Sequence, residues 1–397
     1  MISARDYTDR RQRLLAATKA PYIITAYEAV QQGRDSSAPF LQEANFLYLT
    51  GISYPGWLLI VTEAKSILVS PEVSDTHQLF DGSLSAADAQ QISGVDSVIS
   101  RVDADKIIRD LCATSESVAT LGPDPQAKYY DFTVNPAPVR LYKKLSGDAQ
   151  KVIDCRQALH RLRAIKSSAE IAAIEKAIAI TVEGFQAVYT QMTALTQEYE
   201  IEATLSYEFR KRGAAGHAYD PIVASGLNAC TLHYGHNQAS LHDGEGVLID
   251  AGARVDGYAA DITRSYGKGA ASERYRAVHQ AVEKAHYAII SLLKPGVSVR
   301  EYHETVDTIM KEALHSVGLL KEKADYRRYF PHAISHGLGL DVHDPLGGFE
   351  VFEPGMVLTV EPGIYIPEEK IGIRIEDDIL ITTDGHRNLS AALPTEL

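Results

Sequence analysis

Two short stretches of the chain end in an acid in the same way. Val247-Leu248-Ile249-Asp250-Ala251-Gly252 and Leu358-Thr359-Val360-Glu361-Pro362-Gly363 are apolar runs rich in β-branched residues, each closing on a carboxylate with glycine two places later. Runs of this kind read as strands that deliver an acid to their ends. A second acid follows each one at an odd separation, Asp261 after Asp250 and Glu376 after Glu361. An odd separation makes each pair symmetric about a loop with an even number of residues. The loops read as 254–257 (Arg-Val-Asp-Gly) and 367–370 (Pro-Glu-Glu-Lys), which carry the Asp-Gly and Pro signals of hairpin turns. Residues directly opposite in an antiparallel hairpin share a face with Cβ atoms about 5 Å apart. Each hairpin is therefore expected to hold two carboxylates side by side.

Facing carboxylates repel, and a buried anion without a partner costs several kcal/mol. The chemistry asks for positive charge, and two divalent cations balance four acids. His336, inside Ser335-His336-Gly337-Leu338-Gly339, completes a five-ligand set with Asp250, Asp261, Glu361 and Glu376. Oxygen donors with one imidazole suit manganese, cobalt or zinc.

The rest of the chain must position these residues. At 397 residues it exceeds the usual size of a single core and predicts two domains. A hydrophobic content of 45% and a charged content of 23% are those of an ordinary globular protein. The formal net charge of −13 argues against nucleic acid or an anionic membrane as partner, since both attract basic surface. Cys112, Cys155 and Cys230 lie far apart with no CxxC pair, and read as reduced cysteines of a cytoplasmic protein. The charged stretch from Met1 to Ala20 lacks the apolar segment of a signal peptide, and no apolar run is long enough to span a membrane.

In chain order, the spacing predicts a helix over 3–19, strands over 22–26, 57–62 and 66–70, and a helix over 86–92. A strand near Val98, a helix over 104–112 and a strand over 118–121 follow. This alternation describes a small α/β domain. The segment Asn135-Pro136-Ala137-Pro138 reads as a break of the kind that connects domains. Lys166-Ser167-Ser168-Ala169-Glu170 carries an N-cap signal followed by Ile171, Ile174 and Ile178 at helical spacing. Helices are further expected over 198–211, 272–293 and 299–317. The expected domains are 1–157 and 158–397, the second internally duplicated, with each half made of helices followed by a carboxylate-bearing hairpin.

The five candidate ligands lie in Leu-Ile-Asp-Ala-Gly, Ala-Asp-Ile-Thr-Arg, Ser-His-Gly-Leu-Gly-Leu-Asp-Val-His-Asp, Val-Glu-Pro-Gly-Ile-Tyr and Arg-Ile-Glu-Asp. In order and context this set resembles the pita-bread (M24) metallopeptidases, and among them the Xaa-Pro aminopeptidases and Xaa-Pro dipeptidases. The resemblance covers roughly residues 160–390. It implies an α/β (α+β) chain with a C-terminal pita-bread domain of internal pseudo-duplication, preceded by a smaller α/β domain. It also implies that Asp250 chelates one metal, that Asp261 and Glu376 bridge two, and that His336 and Glu361 hold the other. Two divalent ions, manganese first with cobalt or zinc possible, would activate water and stabilise the oxyanion of the attacked carbonyl. Glu361 would accept the proton. His233, His332 and His343 match substrate-side positions where an imidazole donates to the oxyanion or to the leaving nitrogen. Tyr365 and Arg374 match positions beside the metals.

The implied substrates are peptides with proline in second position, and the implied assembly is a homodimer. One departure bears on specificity. The segment 344–360 contains no Arg or Lys, where many relatives carry an Arg that grips the peptide. This favours an aminopeptidase acting on longer peptides over a dipeptidase that must recognise a free carboxylate. A pita-bread protein without catalysis is the remaining alternative.

Overall fold

The computed structural model describes residues 2–125, 127–129 and 132–397. They divide into two compact units, Ile2–Leu162 and Arg163–Leu397. The boundary expected at 157/158 lies in the first turn of the helix Arg156–Ala164.

Among the described residues the first unit holds a six-stranded sheet in the order Ser97–Ile99, Ser66–Val69, Leu58–Val61, Tyr22–Thr25, Val118–Thr120, Val152–Asp154. Its central strands are buried along their whole length, as their unbroken apolar runs require. The helices Ala4–Thr18, Ala86–Ser93 and Arg101–Thr114 match the expected elements, each opened by a serine N-cap. The segment 135–138 differs from expectation. It opens the helix Pro136–Asp148 inside this unit, with the Asn135 side chain accepting from the Ala137 N–H and proline in the first turn. Proline has no N–H to lose there and its φ suits a helix start, so the same residues that break a pattern can begin one.

In the second unit, the helix Ser168–Gln191 starts at the capping box of Ser167 and Glu170 and packs against Glu198–Lys211. A three-stranded sheet follows, ordered Ile262–Gly267, Gly246–Ala251, Ile222–Ser225. The second half repeats the plan. Helices Glu273–Ile290 and Val299–Ser316 precede the strands Val357–Val360, Asp377–Ile381 and His386–Asn388. Buried Val278, Val282, Val306, Met310, Leu358 and Ile379 belong to one core beneath this half. The two sheets meet where Thr263 bridges Glu376, whose N–H donates to the Thr263 carbonyl at 3.0 Å. The duplication therefore brings the acid-bearing edges of the two halves together.

The second hairpin has the expected register. Gly363 pairs with Arg374 and Ile366 with Ile371 around the loop 367–370, and Val360 pairs with Asp377. The same register sets Glu361 opposite Glu376. The first hairpin is displaced. Val255 pairs with Tyr258 across a two-residue Asp256-Gly257 turn, and Asp250 pairs with Thr263 rather than with Asp261. Both turn residues have positive φ, 51° and 86°, the geometry in which Asp-Gly closes the tightest hairpin. The displacement is an even number of residues, so both acids keep the same face.

Gly252 lies at the crossing of this hairpin, where an added Cβ would sit 1.7 Å from the Ala260 carbonyl oxygen. That contact is with backbone and cannot be relieved by a rotamer change. Gly252→Ala is expected to cost about 2–3 kcal/mol by overpacking. Urea unfolding of the metal-stripped protein measures it, and a loss under about 0.5 kcal/mol, the scale of ordinary surface substitutions, would contradict this packing.

Candidate metal centre

Strand ends supply the acids. Asp250 is the penultimate residue of Gly246–Ala251, Asp261 precedes Ile262–Gly267, Glu361 follows Val357–Val360, and Glu376 precedes Asp377–Ile381. His336 arrives from a loop but is clamped to a strand. Its carbonyl accepts from the Thr359 N–H at 2.9 Å, and its own N–H donates to Thr359 Oγ1 at 3.2 Å.

The geometry around His336 makes a candidate cation site. Its Nδ1 lies 3.0 Å from the Gly337 carbonyl, which assigns the ring proton to Nδ1 and leaves a lone pair on Nε2. That Nε2 is 3.5 Å from both Asp261 Oδ2 and Glu361 Oε1. Three ligand atoms converge there, and Thr359 Oγ1 donates to Glu361 Oε1 at 3.3 Å. Asp261, His336 and Glu376 also present ligand atoms all within 4.8 Å of one another. Burial lowers the His336 pKa to about 4, so the imidazole is neutral near pH 7, as a ligand must be.

The carboxyls show the complementary effect. Burial, then the charges of neighbouring acids, pushes Asp261 and Glu376 well above the ordinary carboxylate range. Glu361 is pushed up to about 7, chiefly by burial. Ionised together, these groups need a cation, and the donor set fits divalent metal. Asp250 is held differently, by Arg374 Nη2 at 2.5 Å.

Arg374 organises the site's far side. It donates through Nε to Thr263 Oγ1 at 3.1 Å and through Nη1 to the Tyr365 hydroxyl at 2.9 Å. Thr263 in turn donates to Glu376 Oε2 at 2.6 Å. The Tyr365 hydroxyl lies 2.9 Å from His332 Nε2, and His332 Nδ1 lies 2.7 Å from the Ala333 carbonyl. Both nitrogens of His332 are thus engaged.

A cavity of about 440 Å³ opens over the acids. The five candidate ligands line it together with His233, His332, His343 and Arg374, while Tyr365 lies buried behind. His233 and His343 are exposed, and the His343 ring packs against His336 with centroids 4.3 Å apart. Among the described residues Arg374 is the one Arg or Lys of the lining, in keeping with the lack of any in the segment 344–360.

Sequence reading missed Tyr219. Its hydroxyl contacts both Asp250 and Asp261, the latter at 2.5 Å, and burial with those two charges raises its pKa. Asp378, which accepts from the Asp261 N–H at 3.1 Å, was also missed. Tyr219 stands in Ala-Tyr-Asp-Pro, a turn-like stretch far from either acid in sequence, and nothing local marks it. Asp378 did carry a signal, lying two residues beyond Glu376 on the same strand face.

Compared with known proteins, residues 172–383 match the model of metallopeptidase family M24, and residues 7–119 match that of the aminopeptidase P N-terminal domain. A Xaa-Pro aminopeptidase of Escherichia coli is 34% identical over 99% of this chain and 96% of its own length. The structure of E. coli aminopeptidase P with the inhibitor Pro-Leu superposes with a TM-score of 0.88 at 31% identity, covering 100% of this chain and 96% of that one. A zinc-substituted form of that enzyme in complex with product gives 0.86 at 32% identity over the same shares.

The raised carboxyls set the pH dependence of metal binding. A group whose folded pKa lies above its unfolded value binds more protons folded than unfolded, so its contribution to stability falls as pH rises between the two. For Glu361 that window runs from 4.5 to about 7. Metal replaces the lost protons. The rise in Tm that added Mn gives the metal-stripped protein is therefore expected to be larger at pH 8 than at pH 5, and a rise independent of pH would refute the assignment.

Proposed function

The chain belongs to metallopeptidase family M24, and from that premise we propose that it is a metal-dependent Xaa-Pro aminopeptidase, a hydrolase of the bond between an N-terminal residue and a following proline. The observation that carries the reading is the convergence of His336 Nε2 with the Asp261 and Glu361 carboxylates on a cavity floor rich in acids. Its fold is the pita-bread domain behind an aminopeptidase P N-terminal domain.

Asp250, Asp261, His336, Glu361 and Glu376 would hold two divalent cations. Manganese suits a set of four carboxylates and one imidazole, with zinc or cobalt able to use the same donors. Bound there, the cations would supply Lewis acidity and lower the pKa of a water. The remaining steps belong to side chains. Glu361, whose Oε1 lies 3.5 Å from His336 Nε2 on the cavity floor, would accept a proton there and pass it on. The exposed rings of His233 and His343 face the cavity, where they can donate to the carbonyl oxygen and to the departing proline nitrogen. His332, both nitrogens engaged, contributes by fixing Tyr365 and the cavity wall.

With two divalent cations in place the four acids would be balanced, so the choice between peptide ends falls to the remaining side chains of the lining. A dipeptidase must place a carboxylate close to the reacting bond, and the cation at hand, Arg374, is already committed to Asp250, Thr263 and Tyr365. Peptides of three or more residues keep their carboxylate further out. We also infer a homodimer, as the resemblance implies, and a cytoplasmic location, as three unpaired cysteines suggest. Among the described residues no helix is long and apolar enough to cross a membrane.

The test is hydrolysis of Xaa-Pro-Yaa tripeptides and Xaa-Pro dipeptides by metal-stripped protein with and without added Mn. Release of the N-terminal residue from the tripeptide is expected only with metal, at higher kcat/KM than from the dipeptide. A marked preference for the dipeptide would reverse the order of the two readings. Glu361→Gln is expected to lower kcat by about 10²–10⁴-fold, and unchanged turnover would remove Glu361 from the proton transfer.

A further inference from the structure

His336 and His343 lie on a stretch, 335–344, that has neither helix nor strand. Its first half is tied to the strand through Thr359 and Val357, and Asp344 orders the turn that follows. The Asp344 N–H donates to the Gly337 carbonyl at 2.8 Å, and Asp344 Oδ1 accepts from the Asp341 N–H at 3.4 Å. The loop is thereby closed around this one residue. Both glycines of Ser-His-Gly-Leu-Gly are accounted for by the closure. A Cβ at Gly337 would meet the Asp344 carbonyl oxygen at 2.3 Å, and one at Gly339 would meet Asp344 Oδ2 at 2.5 Å.

The Asp344 carboxylate is buried, with 1% of its side chain exposed, and would be costly alone. Two cations compensate it. Lys166 Nζ lies 3.1 Å from Oδ2, and Arg163 Nη2 donates to Oδ1 and, at 2.6 Å, to Asp341 Oδ2. Lys166 and Arg163 are as buried as their partner, at 1% and 3%. The Lys166 backbone is itself fixed, its N–H donating to the Gly355 carbonyl at 2.9 Å. The cluster pairs two cations with two acids.

We propose that Arg163, Lys166 and Asp344 are positioning residues that hold the His336–His343 loop at the spacing the metal centre needs. The proposal rests on the reading of His336 as a metal ligand. The mechanism is indirect. The charges fix Asp344, Asp344 fixes Gly337 and the turn beyond it, and the turn fixes the approach of the two imidazoles, whose centroids lie 4.3 Å apart. Residues that orient a ligand in this way govern metal affinity and activity by about 10–100-fold. A buried ion pair serving stability alone would lower Tm and leave metal affinity unchanged.

The test compares Lys166→Met, Lys166→Arg, Asp341→Asn and the double variant Lys166→Met/Asp344→Asn with the wild type. Asp341 is half exposed, so its substitution is tolerated by the fold, and the double variant removes one charge of each sign, leaving Arg163 balanced by Asp341. Calorimetric titration of each metal-stripped protein with Mn, amide exchange at Leu338, Gly339 and Asp344, and kcat and KM on an Xaa-Pro-Yaa tripeptide are the readouts. Lys166→Met and the double variant are expected to bind Mn about 10–100-fold more weakly, to exchange those amides faster, and to lose kcat more than KM. Asp341→Asn should show the same changes severalfold smaller, and Lys166→Arg should recover most of the loss. Wild-type Mn affinity and loop exchange in the double variant or in Asp341→Asn, or no recovery with Lys166→Arg, would overturn the proposal. A wild-type protein that binds Mn but cleaves no peptide would instead refute the proposed function, while the Mn titration and the exchange would still decide the positioning role.

Discussion

Mutual repulsion among Asp250, Asp261, Glu361 and Glu376 is the constraint on which the catalytic unit depends. These four share one cavity with Asp220 and, among the described lining residues, one guanidinium, and burial together with neighbouring negative charge pushes Asp261, Glu361 and Glu376 toward their neutral forms. Removing ions from water costs several kcal/mol each, more than any one hydrogen bond returns. The strands that carry the acids are paired and buried, so the acids cannot swing out to solvent. A divalent cation is the partner that such a donor set fits. The fold supplies rigidity, and the rigidity converts a destabilising cluster into a binding site.

Much of this was legible because the signals were periodic. An acid after a β-branched run, repeated with glycine two places on, needs only the strand period and turn chemistry to be read. The second hairpin followed its loop, and Glu361 and Glu376 stand opposite as their spacing implied. In the first, Asp256-Gly257 closed more tightly than a four-residue loop would, which gave Asp250 the partner Thr263. The functional inference survived because strand faces alternate with period two, and an even slip leaves an acid facing where it did. Asn135-Pro136 misled for a related reason. Proline marks both ends of structure and beginnings of helices, and only the cap bond of Asn135 distinguishes them.

What was illegible came from contacts between distant segments. Tyr219 reaches two acids that follow it by 31 and 42 residues, and a phenol in a turn carries no mark of that. The relay from Arg374 through Tyr365 to His332 is similar: each residue was singled out, but their connection was not. The relay alters the reading of His332, since a ring engaged at both nitrogens shapes the site before it can serve a substrate. One hydroxyl cannot donate to Asp250 and Asp261 at once, so Tyr219 satisfies one carboxylate and only touches the other. Hydrogen bonds alone therefore cannot settle the charge of this cluster.

The unit contains buried acids of two kinds, and the difference between them separates structure from chemistry. Asp344 sits between Lys166 and Arg163, and Asp377 accepts from Arg264 at 2.7 Å; the two stay below the usual carboxylate range despite burial. Each has a covalently fixed cation and no need of another. Among the described residues Asp261 and Glu361 form no ion pair with Arg or Lys, Glu376 shares Arg374 at 3.9 Å, and the pKa values of all three rise. Asp377 and Glu376 are adjacent in sequence yet fall in different classes, because successive strand residues face opposite sides and Arg264 reaches only one carboxylate. Arg264 also donates to the Glu376 carbonyl at 2.8 Å, so it holds the backbone of the acid whose charge it leaves uncompensated. Asp250, held by Arg374, and Asp378, raised by burial while it accepts from the Asp261 N–H, lie between the two groups. A fixed cation thus braces Asp344 and Asp377, while position at the cavity decides which of the other acids can serve a metal.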